Sequence, residues 1–319
     1  MNRLVLIANE SAGRNRSRPE VIRELTHGAG ATVLEAEDLS SLRRATREAV
    51  GMDPGILAVN GGDGTVHGVL TELMRMDRDL PDIAVIPGGT TNMSANDLNG
   101  NIPLETSLRR LGDLGRLPPE RRSRVARPLL KVTGAGDGPQ FGFFLGAGVI
   151  LDGMDHFRRK VKSHGLRGEL AAGISLLRGL VGMARGESAW SAGRSTAFAL
   201  DGEGGRHDRQ VLVVGTSLER LFLGMRPWWG DGDGPIHLTS VRRRPTALIR
   251  RAPALLFGKR HPRMSLAEGY FSCDVHAFDL YPDQGFALDG EIFPVAAGEP
   301  VRVEATAPVR FLNLGTDAD

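Results

Sequence analysis

Ile56-Leu57-Ala58-Val59-Asn60-Gly61-Gly62-Asp63-Gly64-Thr65-Val66 is the stretch that decides the fold. Four apolar residues run without a break into glycines set around an aspartate, and Val66, Val69, Leu70, Leu73 and Met74 then follow at i, i+3, i+4, i+7 and i+8. That is a short buried strand, a tight turn and an amphipathic helix. Glycines at such a turn let the backbone approach an anion, and the free N–H groups of a helix start point positive partial charge toward it. A plainer use of the same residues is a turn with Asp63 and Thr65 as helix caps. Two adjacent glycines and a third around one aspartate exceed what a cap needs, which favours a phosphate site.

The pattern repeats outward from this point. Leu4–Ala8, Thr32–Leu34, Ile56–Val59 and Ile83–Ile86 are short apolar strands, and helical spacing occupies Val21–Leu25, Leu39–Val50 and Val66–Met76. This βαβ rhythm predicts a mainly parallel sheet with helices on both faces, its ligands gathering beyond the carboxyl ends of the strands. Ile83–Ile86 runs into a second glycine loop, Pro87-Gly88-Gly89-Thr90-Thr91-Asn92, with a helix expected from Met93. Neither loop has the Gly-Lys-Ser/Thr of a Walker loop or the spaced glycines of a dinucleotide fingerprint.

From Arg127 the pattern changes to strands separated by turns: Leu129–Thr133, Phe141–Gly146, Ser195–Leu200, Gln210–Thr216, Ile236–Val241, Phe271–Tyr281, Phe286–Leu288 and Val301–Ala305. An antiparallel β domain is expected, interrupted by helices near residues 152–184 and 245–258. The Pro- and Arg-rich Leu117–Arg127 reads as the hinge. The boundaries are placed at 1–125 and 126–306, and residues 307–319, which include the strand-like Val309–Leu314, can belong to either domain.

Composition sets limits. A chain of 319 residues favours two domains, and 41% hydrophobic with 24% charged residues is the balance of a globular protein. The single cysteine, Cys273, excludes an internal disulfide framework. Arg and Glu interrupt even the most apolar stretch, Leu166–Ala184, so no spanning helix is expected, and Met1–Glu10 reads as a first strand and not a signal peptide. A cytoplasmic location is expected. The formal charge of +2 and the 5% aromatic content argue against nucleic-acid binding. Arg242–Arg244, Arg250, Arg251, Lys259, Arg260 and Arg263 flank the apolar Ala252–Phe257. This suits either a solvated basic face or transient contact with an anionic inner-membrane surface. His67, His156, His164 and His237 lack zinc-ligand spacing. Oligomeric state, a homodimer included, is left open.

Asn60–Leu70, Pro87–Asn92 and the late Leu288-Asp289-Gly290-Glu291 resemble, in order, three signatures of the diacylglycerol kinase catalytic-domain family, which includes sphingosine and ceramide kinases and bacterial lipid kinases. The resemblance implies an N-terminal Rossmann-like α/β nucleotide domain, a C-terminal antiparallel β-sandwich that takes the lipid, and an active site in the cleft between them. It implies ATP and Mg2+ as cofactors and a lipid substrate, diacylglycerol by default.

Carried over, Asn9, Asn60, Gly61, Gly62, Gly64, Thr65, Gly88, Gly89, Thr90 and Asn92 would form the nucleotide site. Asp63 would contact phosphates and help hold magnesium, Asp289 would be the general base, and Glu291 would orient the base or the metal. Asp231 and Asp233, in Gly230–Gly234, resemble a metal-linked turn with altered spacing, and Asp152 resembles an acidic residue near the lipid entrance. Glu10, Ala12 and His67-Gly68 depart from the family pattern.

Two uses from the residues alone stay beside these. Asp289-Gly290 is also the dipeptide of a tight hairpin turn, and Asp152 also suits a helix cap. Oxygen-rich, histidine-poor motifs suit magnesium. The alternatives are a kinase for a sphingoid base, ceramide or monoacylglycerol, and a nucleotide-binding regulator without turnover. NAD kinases share the Gly-Gly-Asp-Gly-Thr motif, but the late Leu-Asp-Gly-Glu argues against one.

Overall fold

The structure, a computed structural model, describes residues 3–13, 15, 19–28, 30–156 and 195–316. The helix expected over Leu166–Ala184, with Arg167, Glu169 and Arg178, lies outside the described residues, as does His164. The chain divides into two compact units, Met1–Arg127 with Pro308–Asp319, and Pro128–Ala307.

The first unit runs β1 (Leu4–Asn9), α1 (Pro19–Gly28), β2 (Thr32–Ala36), α2 (Leu39–Gly51), β3 (Ile56–Gly61), α3 (Asp63–Arg75), β4 (Asp82–Pro87), α4 (Met93–Asn99), α5 (Leu104–Arg116) and β5 (Arg124–Arg127). The last strand of the chain, β17 (Val309–Leu312), completes its sheet in the order β2-β1-β3-β4-β17-β5. Only β5 runs antiparallel to its neighbour. Alternate residues of the central strands face opposite layers. Leu4, Leu6, Ile56, Ala58, Ala84 and Ile86 share a core with Leu104, Leu108, Leu111 and Leu114 of α5. Val5, Ile7, Leu57 and Val59, equally buried, face the other way, where α2 and α3 cover β1 and β3.

The sequence reading assigned no helix at residues 104–116. The leucines at 104, 108, 111 and 114 carry the missed signal, since that spacing is a helical stripe. Leu117–Arg127 also differs from its expectation. It forms a 3-10 turn, Pro119–Arg121, and then β5, paired with β17. Arg122 and Arg124 both bind Asp82 at the start of β4, with N–O distances of 3.0 and 2.7 Å. Its arginines therefore anchor a strand of the first sheet instead of solvating a linker.

The second unit contains β6 (Leu130–Thr133), β7 (Gln140–Gly142), β8 (Phe144–Gly148), α6 (Val149–His156), β9 (Thr196–Leu200), β10 (Arg206–Thr216), β11 (Ile236–Arg242), α7 (Leu248–Leu256), β12 (Tyr270–Val275), β13 (Ala277–Pro282), β14 (Phe286–Leu288), β15 (Glu291–Phe293) and β16 (Val301–Ala305). Among the described residues, eleven antiparallel strands form one sheet, β15-β14-β8-β10-β9-β13-β16-β6-β7, with β11 paired to β10 and β12 to β11. Leu130, Leu145, Phe198, Val213, Phe278 and Phe286, from six different strands, meet in a single core. Strands far apart in the sheet order, β14 and β6 among them, thus share one core. Two stretches expected as single strands are broken, one at Phe143 between β7 and β8, the other at His276 where β12, paired to β11, gives way to β13, paired to β9 and β16.

Candidate functional site

In the first unit the chain leaves β1 for β2 on one side and returns to β3 on the other, which puts the topological switch point between β1 and β3. Open α/β sheets take ligands in the crevice at such a point. Three loops meet there. Asn9, ending β1, donates from Nδ2 to Thr65 Oγ1 at 2.8 Å, and Asn15 Nδ2 donates to the Asn9 carbonyl at 2.7 Å. The Gly88 N–H donates to the Gly61 carbonyl at 2.9 Å. A Cβ on Gly89 would run into the Gly62 Cα, so the second glycine loop lies backbone to backbone on the first. Thr90 abuts Gly13, where a Cβ would sit 2.7 Å from Thr90 Oγ1.

The two helix starts at these loops differ. α3 begins at Gly62 with no side-chain cap, so the orphan N–H groups of its first turn are open to an anion. α4 begins after Asn92, whose own amide is used within its loop, accepting from the Gly89 N–H at 2.6 Å and donating to the Gly89 carbonyl at 3.0 Å. Its cap comes from Asp63. The Asp63 carboxylate accepts from the Met93 N–H at 3.1 Å, from the Ser94 N–H at 2.9 Å and from Ser94 Oγ at 2.9 Å. The capping role weighed for Asp63 thus operates on the neighbouring helix and not on α3. Beneath the loops the fully buried Asn60 has no hydrogen-bond partner for either side-chain polar atom among the described residues. An unpaired buried amide is costly unless a water or a ligand completes its hydrogen bonds. Asn15 and Ser94 take part in this arrangement and were not singled out from the sequence.

His67-Gly68 has a packing explanation. α2 crosses α3 at Gly68, where a Cβ would sit 2.5 Å from the Leu42 side chain. Gly61, Gly64 and Thr65 line the first turn with Gly62, and Thr65 N–H donates back to the Gly62 carbonyl at 2.9 Å.

In the second unit Asp289 and Gly290 form the two-residue turn between β14 and β15, both with positive φ, 47° and 89°. This is the mirror-image turn that matches strand twist. The turn buries Asp289 to 2% exposure, and its carboxylate accepts from the Phe143 N–H at 2.9 Å and the Phe144 N–H at 2.9 Å. Those bonds occupy the N–H groups at the break between β7 and β8. Glu291 is exposed at the start of β15. Asp152 sits within the first turn of α6, inside the helix and not at its cap.

Gly230–Gly234 runs beside β12 with its glycines turned inward. A Cβ at 230, 232 or 234 would collide with the backbone of Ser272, Asp274 or Val275. Alternation then turns Asp231 and Asp233 outward, 85% and 98% exposed. Asp231 pairs with Arg260, whose hydrogen bond and charge hold its carboxyl below the usual range. Asp233 lies 3.7 Å from His276. Among the described residues, no group of three or more His, Cys, Asp or Glu is placed to hold a metal ion by side chains alone. No helix of the described residues is long and apolar enough to cross a membrane.

Residues 3–116 match the family model described as the diacylglycerol kinase catalytic domain. The search of curated proteins gave no sequence match. Among solved structures, the chain is similar to a diacylglycerol kinase from Bacillus anthracis str. Sterne, with 16% identity and a TM-score of 0.63, over 98% of this chain and 97% of the other. A second protein from that organism, provisionally assigned as a diacylglycerol kinase, is 17% identical with a TM-score of 0.67 over the same shares. The whole chain thus has the fold of these bacterial structures, and its residues 3–116 match the model of the diacylglycerol kinase catalytic domain.

Proposed function

We propose that the protein is a lipid kinase that transfers the γ-phosphate of Mg-ATP to a lipid hydroxyl, diacylglycerol being the first acceptor to test and phosphatidic acid its product. The observation that carries this reading is the uncapped start of α3, set at the switch point between two glycine loops in backbone contact. Phosphoryl transfer needs positioning and charge neutralisation more than covalent chemistry. The N–H groups at Gly62–Gly64 would hold phosphate, the unpartnered amide of Asn60 would gain a polar partner, and Asn9 would fix Thr65.

Magnesium, when bound with ATP, neutralises phosphate charge, and it usually keeps several waters and needs only one or two carboxylates. Asp63 would hold it, since three accepted hydrogen bonds leave its oxygens a lone pair to spare. The exposed Asp231 and Asp233 would serve as a secondary metal contact. Asp289 would take the proton of the acceptor hydroxyl, held in place by the Phe143 and Phe144 N–H groups, with Glu291 orienting the site and Asp152 meeting the lipid. Such an enzyme acts on a bilayer component and would associate transiently with the membrane surface.

A second reading is a nucleotide-binding regulator of the same fold. It is favoured by the burial of Asp289, whose carboxylate is already engaged by backbone N–H groups. The deciding experiment follows labelled γ-phosphate from Mg-ATP into diacylglycerol, monoacylglycerol, sphingosine, ceramide and NAD in mixed micelles. Transfer to one lipid names the acceptor. ATP binding with no transfer to any of them leaves the regulator.

A further inference from the structure

We infer that the end of the second unit built by α7 and its flanking turns is a docking surface for an anionic lipid bilayer. The inner side of α7 buries Leu248, Arg251, Ala252 and Leu255 in a cluster with Val241, Met264 and Tyr270. Its outer side carries Ile249, Pro253 and Phe257 at i, i+4 and i+8, a single stripe along the helix, with Ile249 58% and Phe257 53% exposed. Leu223, 46% exposed, stands in a turn joined to the same end of the helix by the Arg226 N–H bond to the Leu256 carbonyl. Leu266, 48% exposed, stands in the turn that follows, which Arg251 holds through Glu268 at 3.4 Å.

Four of the five exposed large hydrophobics among the described residues are thus gathered here, the fifth being Leu39 in the first unit. Single exposed apolar residues are ordinary, but a group of them rimmed by polar residues marks an interaction site.

The charge around the stripe selects its occupant. From Arg242 to Ala267 the chain holds eight Arg and Lys and not one Asp or Glu. Arg251 turns inward to Glu268 and Arg260 pairs with Asp231, whereas Arg243, Arg244, Arg250 and Lys259 are exposed and join no ion pair among the described residues. An apolar stripe that enters the acyl boundary, ringed by cations at headgroup level, is the arrangement of an interfacial helix on an anionic membrane. The choice of a bilayer over an acidic protein rests on the lipid-kinase reading, whose acceptor resides in the membrane.

The test is co-sedimentation of the full chain with phosphatidylcholine vesicles, with and without phosphatidylglycerol, in the absence of nucleotide. Binding is expected to require the anionic lipid and to weaken as salt rises. Ile249→Ser with Phe257→Ser, and separately Arg243→Glu with Arg244→Glu, are each expected to lower vesicle affinity by about tenfold or more. All four side chains are exposed, so the variants keep the fold. No vesicle binding by the wild type, equal binding with and without phosphatidylglycerol, or unchanged affinity in both variants would overturn the assignment. Self-association lost in Ile249→Ser with Phe257→Ser, without vesicle binding, would assign the stripe to a second copy instead.

Transfer to a short-chain, freely dispersed diacylglycerol separates this inference from the kinase reading. That transfer should persist in the docking variants, while transfer to long-chain diacylglycerol in vesicles falls. Absent transfer with intact vesicle binding would sink the kinase and spare the surface.

Discussion

Replacing Asp63 by Ala distinguishes a carboxylate that binds ligand from one that builds the site. In the structure its two oxygens receive three hydrogen bonds from the first turn of α4, at 2.9 to 3.1 Å, and both Met93 and Ser94 are buried. Loss of a helix cap costs about 0.5–2 kcal/mol, and a buried N–H left without an acceptor costs about 1–3 kcal/mol. Because these overlap, about 3 kcal/mol is expected, equivalent to a fall in Tm of about 6–12 °C for a unit of this size. Asp63→Asn keeps an oxygen for Ser94 and loses the charge near the helix start, so about half that cost is expected. Thermal unfolding followed by circular dichroism without nucleotide or metal measures both variants. A Tm for Asp63→Ala equal to or above that of wild type would refute the argument, since a carboxylate serving only phosphate or metal gives the free protein no stability.

Further outcomes follow from the same structure. Asp82→Ala should cost about 3–5 kcal/mol, because it strands Arg122, whose side chain is 1% exposed, without its partner; an unfolding midpoint in urea equal to that of wild type would contradict this. Burial raises the Asp82 pKa, but the hydrogen bonds and charges of Arg124 and Arg122 outweigh it and leave the carboxyl below its ordinary value. Its stabilisation is therefore complete above about pH 4 and is lost as pH falls through the lowered pKa. Asp82→Asn should flatten this part of the stability profile between neutral and acid pH, and an unchanged acid limb would assign it to other carboxylates. Gly68→Glu should destabilise by about 1–3 kcal/mol by overpacking against Leu42, and an unchanged Tm would remove the packing explanation for Gly68.

The parallel half was readable because β1, β3 and β4 are near-continuous aliphatic runs and their helices carry apolar residues at a clean helical period. The two glycine loops were readable as a candidate ligand site for the same local reason, strand followed by glycines followed by helix, whereas the loop after β1 entered only through the family resemblance. What was not readable depends on partners distant in sequence. Phe143 breaks a run that reads as one strand because its N–H goes to Asp289, a residue 146 positions away. β5 is short, only partly buried and Arg-rich, and it is a strand because β17 pairs with it and Asp82 holds its arginine. The roles of Asp63 and Asp289 were only partly legible. The sequence marks both as carboxylates in glycine turns, while their acceptor bonds to Met93, Ser94, Phe143 and Phe144 arise only when separate segments come together. The glycine that alters the spacing at 230–234 has a similar origin, since the backbone of β12 leaves no room for side chains on that side.

The most direct test of the kinase reading is Asp289→Asn, assayed in parallel for ATP binding and for transfer of labelled γ-phosphate from Mg-ATP to diacylglycerol. The variant keeps the turn and an oxygen for the Phe143 and Phe144 N–H groups, so the fold and ATP affinity are expected to persist while transfer falls by about a hundredfold or more. Wild-type transfer retained in the variant would contradict Asp289 as the base, and ATP binding without transfer in the wild type would contradict the kinase itself.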